Sequence, residues 1–133
     1  MKEEIKKTDE EWRKVLTPLQ FDITRRNGTE PPFTGKYNKF YEDGIYRCVA
    51  CDTPLFSSET KYDSNSGWPS FWDAVDQGNI KLSQDSSHGM VRTEVCCAIC
   101  DAHLGHLFED GPNPTGMRYC INSASLDFQK KSG

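Results

Sequence analysis

Hydrophobic positions along this chain recur with two different periods, and the change falls near residue 29. Before it, Trp12, Val15, Leu16 and Leu19 repeat at helical spacing. Thr8 followed by Glu11 forms a capping-box pattern, so a short helix is expected to begin near Asp9. Thr17-Pro18-Leu19-Gln20 repeats that signal with proline at the first helical position, and Asn27-Gly28 supplies a stop. From Thr29 the texture turns to Gly, Pro and aromatics, and residues 30–35 are too proline-rich for a helix or a central strand. Beyond that loop come short β-type runs at residues 44–49, 55–56, 79–82, 90–95, 103–108, 118–122 and 125–128, most separated by turn residues. In residues 90–95, Val91, Thr93 and Val95 alternate with mostly polar positions, as in a strand with one buried face. The pattern predicts a mainly β chain with two short helices at its start.

At 133 residues the chain is expected to be one domain over residues 9–130, preceded by a charged, flexible arm at residues 1–8. With 16 Lys+Arg against 20 Asp+Glu, the net charge of −4 has the wrong sign for a protein held mainly by phosphate contacts, which argues against nucleic acid. No run approaches the roughly 18 apolar residues of a membrane span, and Met1-Lys2-Glu3-Glu4-Ile5 lacks the apolar stretch of a signal peptide. The reading is a cytoplasmic protein with no membrane partner, expected to be a monomer.

Six cysteines change the picture most. Four form two C-x-x-C pairs, Cys48/Cys51 and Cys97/Cys100, leaving Cys96 and Cys120 over. Three disulfides in a secreted domain would also fit the count, but the missing export signal argues against them. Two pairs brought together by the fold supply the four tetrahedral sulfurs that a structural zinc ion favours, with no open position for substrate.

Cys120 needs a different explanation. If residues 118–122 are a strand, alternation sends Arg118, Cys120 and Asn122 to one face, where a guanidinium stabilises thiolate over thiol. His103 and His106 supply imidazoles able to donate a proton to a departing oxygen, and Asp110 is a carboxylate able to orient one of them. In Gly67-Trp68-Pro69-Ser70-Phe71-Trp72, the residue pattern favours Phe71 and Trp72 as core anchors. Trp68, between Gly and Pro, suits presentation at a pocket, where its indole face fits a methyl group beside a polarised sulfur.

The strings Gly28 to Phe33 (GTEPPF), Gly67 to Phe71 (GWPSF), His103 to Pro112 and Arg118 to Ser123 appear in this order. With the two C-x-x-C pairs they make the chain resemble the B-type methionine-R-sulfoxide reductases over residues 12–128. The resemblance implies two antiparallel sheets in a β-tent or barrel-like fold, with one structural zinc away from the active site. It implies reduction of methionine-R-sulfoxide in oxidised proteins or peptides, a step back down the oxidation ladder of methionine. By matching positions, Cys120 is the nucleophile, His103 and His106 protonate the oxygen with His106 preferred as acid, and Asp110 orients a histidine. Asn122 helps to bind the oxygen, Arg118 supports the thiolate, and Trp68 and Phe71 form the substrate-binding pair.

One departure stands out. Many family members carry a resolving cysteine immediately before the Gly-Trp-Pro-Ser segment, the source of a disulfide that thioredoxin reduces; here that position is Ser66. Thioredoxin or a small thiol would then act directly on the oxidised Cys120, or Cys96 would stand in as resolver. A zinc-stabilised binding module without catalysis and a C-x-x-C thiol-disulfide exchanger are the competing readings.

Overall fold

The computed structural model describes residues 8–26, 28–38, 40–86, 89 and 91–130. The expected arm therefore lies outside the described residues except for Thr8, which caps a helix. That helix is α1 (Asp9–Val15), with the capping box closed in both directions: the Glu11 N–H donates to Thr8 Oγ1 at 3.3 Å and the Thr8 N–H to Glu11 Oε1 at 3.0 Å. Thr17 and Gln20 repeat the device at α2 (Pro18–Arg25), where Pro18 fills a position that needs no N–H donor. Asn27 of the expected stop lies outside the described residues, while the Gly28 N–H closes back on the Asp22 carbonyl at 3.1 Å. Of the periodic set, Trp12 and Leu16 are buried but Val15 and Leu19 are exposed. The chain bends into α2 before one helical face can run on to Leu19.

Among the described residues nine strands follow: β1 (Gly44–Cys48), β2 (Pro54–Ser57), β3 (Lys61–Tyr62), β4 (Ser70–Phe71), β5 (Ile80–Asp85), β6 (Arg92–Cys97), β7 (His103–Phe108), β8 (Arg118–Ile121) and β9 (Leu126–Lys130). They form two antiparallel sheets, one of order β2-β1-β9 and one of order β3-β4-β8-β7-β6-β5. The strand expected at residues 90–95 lies further on. Met90 is outside the described residues, Val91 is 70% exposed, and β6 runs through Cys97, with a register irregularity after Val95. The pair β3/β4, two residues each, is invisible as a pattern because two residues show no alternation.

Four aromatics hold the sheets together. Tyr46 and Phe56 are cross-strand partners in the smaller sheet, and Phe71 and Tyr119 are partners in the larger one. Phe71 stacks on Phe56 with ring centroids 4.6 Å apart and meets Tyr46 edge-on at 5.1 Å, and Tyr119 lies 5.5 Å from Phe56. Trp12, Leu55, Val95, Leu104 and Ile121 extend the same core. Among the described residues, no helix is long and apolar enough to cross a membrane.

Phe71 is fully buried, so Phe71→Ala leaves a cavity in this junction and should cost about 3–5 kcal/mol. Urea unfolding reads that loss as a lower midpoint; a midpoint within error of wild type would remove Phe71 from the core.

Candidate active site and metal centre

The two C-x-x-C pairs fold as copies of one knuckle. In the first, the Cys48 N–H donates to the Thr53 carbonyl and the Asp52 N–H to the Cys48 carbonyl; in the second, Cys97 with Ala102 and Asp101 with Cys97 repeat both bonds. Asp52 and Asp101 hold left-handed backbone at φ 68° and 64°, a conformation that aspartate tolerates better than most residues. Cys48 comes from the smaller sheet and Cys97 from the larger, so the knuckles meet where the sheets meet. The four sulfurs lie within 4.8 Å of one another, with Cys48–Cys100 at 3.5 Å and Cys51–Cys97 at 3.6 Å. A tetrahedron with metal–sulfur bonds of about 2.3 Å has edges of about 3.8 Å, so the spacing fits such an ion. None of the six cysteines is in a disulfide. Helix α2 braces this end of the molecule: Arg25 donates to the Cys100 carbonyl at 2.7 Å and stacks over Trp12.

Cys120 sits elsewhere, on β8 between Ser70 of β4 and His106 of β7. Alternation along β8 buries Tyr119 and Ile121 in the core and turns Arg118 and Cys120 to the other face. That face lines a pocket of about 260 Å³ together with Thr29, Ser66, Trp68, Arg92, His106 and Phe108. Asn122 closes the floor. Its side chain donates to the Leu104 carbonyl at 3.1 Å and accepts from the Glu30 N–H at 3.0 Å, tying the 28–33 loop to β7. The Glu30 carbonyl in turn accepts from Trp68 Nε1 at 2.9 Å, so one residue of the proline-rich loop aligns both Asn122 and the indole.

The electrostatics differ from the sequence expectation. Burial pushes the Cys120 thiol above the usual cysteine range; a hydrogen bond from Ser66 and the charge of Arg118 pull it back only partly. Arg118 itself is held by Asp110 at 2.8 and 3.2 Å and lies over the Phe108 ring at 4.3 Å. Asp110 therefore orients the guanidinium and touches neither histidine. Sequence proximity misleads here, because β7 ends at Phe108 and carries the chain away from both imidazoles before Asp110.

The histidines take their carboxylates from neighbouring strands. His106 Nε2 lies 2.8 Å from Asp85 at the end of β5, and Asp85 also meets Arg92 at 3.4 Å. His103 Nδ1 lies 2.6 Å from Glu94 of β6. Burial holds His103 below the ordinary histidine range; the same burial would raise Glu94, but hydrogen bonds from His103 and Ser83 keep it low. The two rings are 5.5 Å apart, and of the pair only His106 lines the pocket. Asp85, Glu94 and Arg92 escape a reading of the sequence, since nothing local marks which residues of β5 and β6 will face β7. Phe71, grouped with Trp68 for substrate by resemblance, lies in the core and does not reach the pocket.

Cys96 is likewise remote. Its cross-strand partners are Lys81 and His103, whereas Cys120 pairs with Ser70 and His106. Two strand spacings and three residues of offset separate the two by about 14 Å, beyond the reach of a disulfide.

Two linked β-sheets thus carry a four-sulfur cluster and, in a separate pocket, one further thiol. The profile of the SelR domain matches residues 16–130, and the chain belongs to the SelR domain family. Relatives named peptide methionine sulfoxide reductase MsrB are 61% identical over 122 residues in Thioalkalivibrio sulfidiphilus, covering 92% of this chain and 89% of that one. In Pseudomonas putida the identity is 56%, covering 98% of both chains, and in Leptospira interrogans 57%, covering 98% of this chain and all of the relative. The crystal structure of the Mis18 'Yippee-like' domain shares the fold, with a TM-score of 0.55, 16% identity, and coverage of 69% of this chain and all of that one.

If Asp85 positions His106, Asp85→Asn should lower turnover about a hundredfold, the low end of what a positioned proton donor contributes. Asp110→Asn, acting through Arg118 at the pocket edge, should cost less than Asp85→Asn; the reverse order in steady-state kinetics would return Asp110 to the histidines.

Proposed function

We propose that this protein reduces the R epimer of methionine sulfoxide in oxidised polypeptides, with Cys120 as nucleophile. The carrying observation is the Cys120 sulfur on the pocket floor, between the Arg118 charge and the His106 imidazole, with the Trp68 indole in the pocket wall. In this family the relatives carry the name peptide methionine sulfoxide reductase, and their chains match this one almost end to end.

The sulfoxide methyl group rests on Trp68, and the oxygen faces His106, whose Nε2 is held by Asp85. The Cys120 thiolate attacks the sulfoxide sulfur while the imidazolium gives a proton to the oxygen. In net terms the oxygen passes to Cys120, one proton is taken up, and methionine leaves. The methionine sulfur gains two electrons and Cys120 loses two, becoming a sulfenic acid. Arg118 stabilises the thiolate, Asn122 keeps the pocket floor in place, and His103, backed by Glu94, sets the environment of His106.

With Ser66 at the position before Gly67, and Cys96 two strands away, no internal thiol reaches the sulfenic acid. An external thiol, thioredoxin or a small molecule, forms a mixed disulfide with Cys120 and releases water. A second thiol then displaces it to restore Cys120. Cys48, Cys51, Cys97 and Cys100 would hold one structural zinc ion, which would tie the two sheets together and take no part in the reaction. Residues 9–130 work as one unit.

With dithiothreitol as reductant, the protein should reduce the R but not the S epimer of N-blocked methionine sulfoxide, and Cys120→Ser should abolish this; inactivity of folded, metal-loaded protein would sink the reading. Metal analysis should find one zinc per chain, and its removal by chelator should melt the fold in circular dichroism. An apo form with unchanged thermal midpoint would exclude the structural role. Because the Cys120 thiol is raised, its rate of alkylation should keep rising with pH past the ordinary cysteine range; a plateau reached already at neutral pH would contradict that sign.

A further inference from the structure

A chain of hydroxyls leads away from the Cys120 sulfur. Ser66 Oγ lies 3.9 Å from Cys120 Sγ, Ser64 Oγ is 2.8 Å from Ser66 Oγ, and Ser70 Oγ is 2.7 Å from Ser64 Oγ. Ser70 is fully buried and is the cross-strand partner of Cys120 in the β4/β8 pair, so the far end of the chain is fixed by the same sheet that fixes the sulfur. Backbone bonds hold the near end. The Ser66 N–H donates to Ser64 Oγ at 3.3 Å and the Trp68 N–H to Ser66 Oγ at 3.4 Å, in a turn where Gly67 has φ 96°.

Counting protons shows what such a chain does. Ser70 donates to the Trp68 carbonyl at 3.2 Å, and Ser64 then donates to Ser70. The Ser66 proton has three acceptors within reach: Ser64 Oγ, the Trp68 carbonyl at 3.4 Å, and the Cys120 sulfur. When Cys120 is a thiol, its S–H can point at Ser66 Oγ and the Ser66 proton turns inward. When it is a thiolate, one rotation of the hydroxyl aims that proton at the sulfur, and the charge-assisted bond draws shorter than the neutral one. The chain ends on a backbone carbonyl, which takes no proton, so it reorients its dipoles and does not conduct.

We propose that Ser66 is a positioning residue for Cys120: its hydroxyl, set by Ser64 and Ser70, donates a hydrogen bond to the sulfur in its nucleophilic form and holds that sulfur toward the pocket. This rests on the reading of Cys120 as the nucleophile. The groups facing the sulfur are Arg118 on its own strand, His106 across β7, Arg92 from β6, Tyr62 from β3 and Glu30 from the proline-rich loop. Against the burial that disfavours the thiolate, the Ser66 bond acts together with the Arg118 charge. A serine here therefore keeps a polar contact with Cys120 that a sulfur in its place would convert to a covalent one.

The test follows Cys120 alkylation by iodoacetamide, read by peptide mass spectrometry from neutral to alkaline pH, which needs no sulfoxide and no reductase turnover. Ser66→Ala should raise the midpoint of the Cys120 profile by about one pH unit and slow alkylation at neutral pH about tenfold, the scale of one hydrogen bond to a charged group. Ser66→Thr, which keeps the hydroxyl, should restore the wild-type profile, and Ser64→Ala should shift it in the Ala direction by less. A Ser66→Ala profile superimposable on wild type overturns the proposal, as does an equal shift in Ser66→Ala and Ser66→Thr, which would mark a packing effect. Should Ser66→Ala not fold, an unshifted midpoint in Ser64→Ala overturns it. R-epimer reduction with unshifted alkylation profiles sinks the Ser66 role alone, whereas shifted profiles without any sulfoxide reduction sink the reductase reading alone.

Discussion

Packing of Phe71 and Tyr119 against Phe56 and Tyr46 is the constraint on which the placement of Cys120 depends. Phe71 pairs with Tyr119 across β4 and β8, and Ser70 pairs with Cys120 one residue along each strand. Side chains of successive strand residues point to opposite faces, so burying the aromatic pair between the sheets turns Ser70 and Cys120 to the other side. A one-residue slip of register would put the sulfur in the core and the rings at the pocket. The face on which the thiol stands is therefore set by the hydrophobic effect acting on its neighbours.

The same sheet supplies the polar partners. β7 carries both histidines, with β8 and Cys120 on one side and β6 with Glu94 on the other; Asp85 reaches His106 from the end of β5, a strand further out. Each imidazole is thus backed by a carboxylate from the side away from the thiol, an arrangement that fixes ring orientation, and of the two only His106 reaches the pocket. Arg118 has its own carboxylate in Asp110, whereas Asp85 serves both His106 and Arg92. The loop that begins with Thr29 completes the wall because the Glu30 backbone joins Asn122 to Trp68.

The knuckles stand apart from this centre and do a different job. They repeat one local fold, C-x-x-C followed by an aspartate in left-handed backbone, once in each sheet. Bringing the four sulfurs to within 4.8 Å requires the ends of β1 and β6 to meet, which closes one end of the sandwich of sheets while the thiol pocket opens elsewhere. A four-sulfur set that close repels itself as thiolates unless a cation sits among them, which is why the spacing speaks for a metal.

Much of this was legible in the chain. Both helix starts rest on contacts three residues apart, the two C-x-x-C pairs on a two-residue spacer, and the face shared by Arg118 and Cys120 on simple alternation; each is decided by neighbours in sequence. Legibility stopped where partners come from different strands. Asp85 with His106, Glu94 with His103 and Glu30 with Asn122 are separated by 21, 9 and 92 residues, and only strand order, register and the irregularity after Val95 decide that they meet. Asp110 shows the reverse, near His106 in sequence but committed by tertiary packing to Arg118, while Phe71 takes the core place its residue pattern favours and not the pocket place the resemblance implies. The sequence determined what each side chain can do and which ones local spacing sets together, because residue type and near neighbours decide both. Tertiary structure alone decided which carboxylate serves which cation and which face of each strand meets solvent, because pairing across a sheet is a property of the whole packed arrangement.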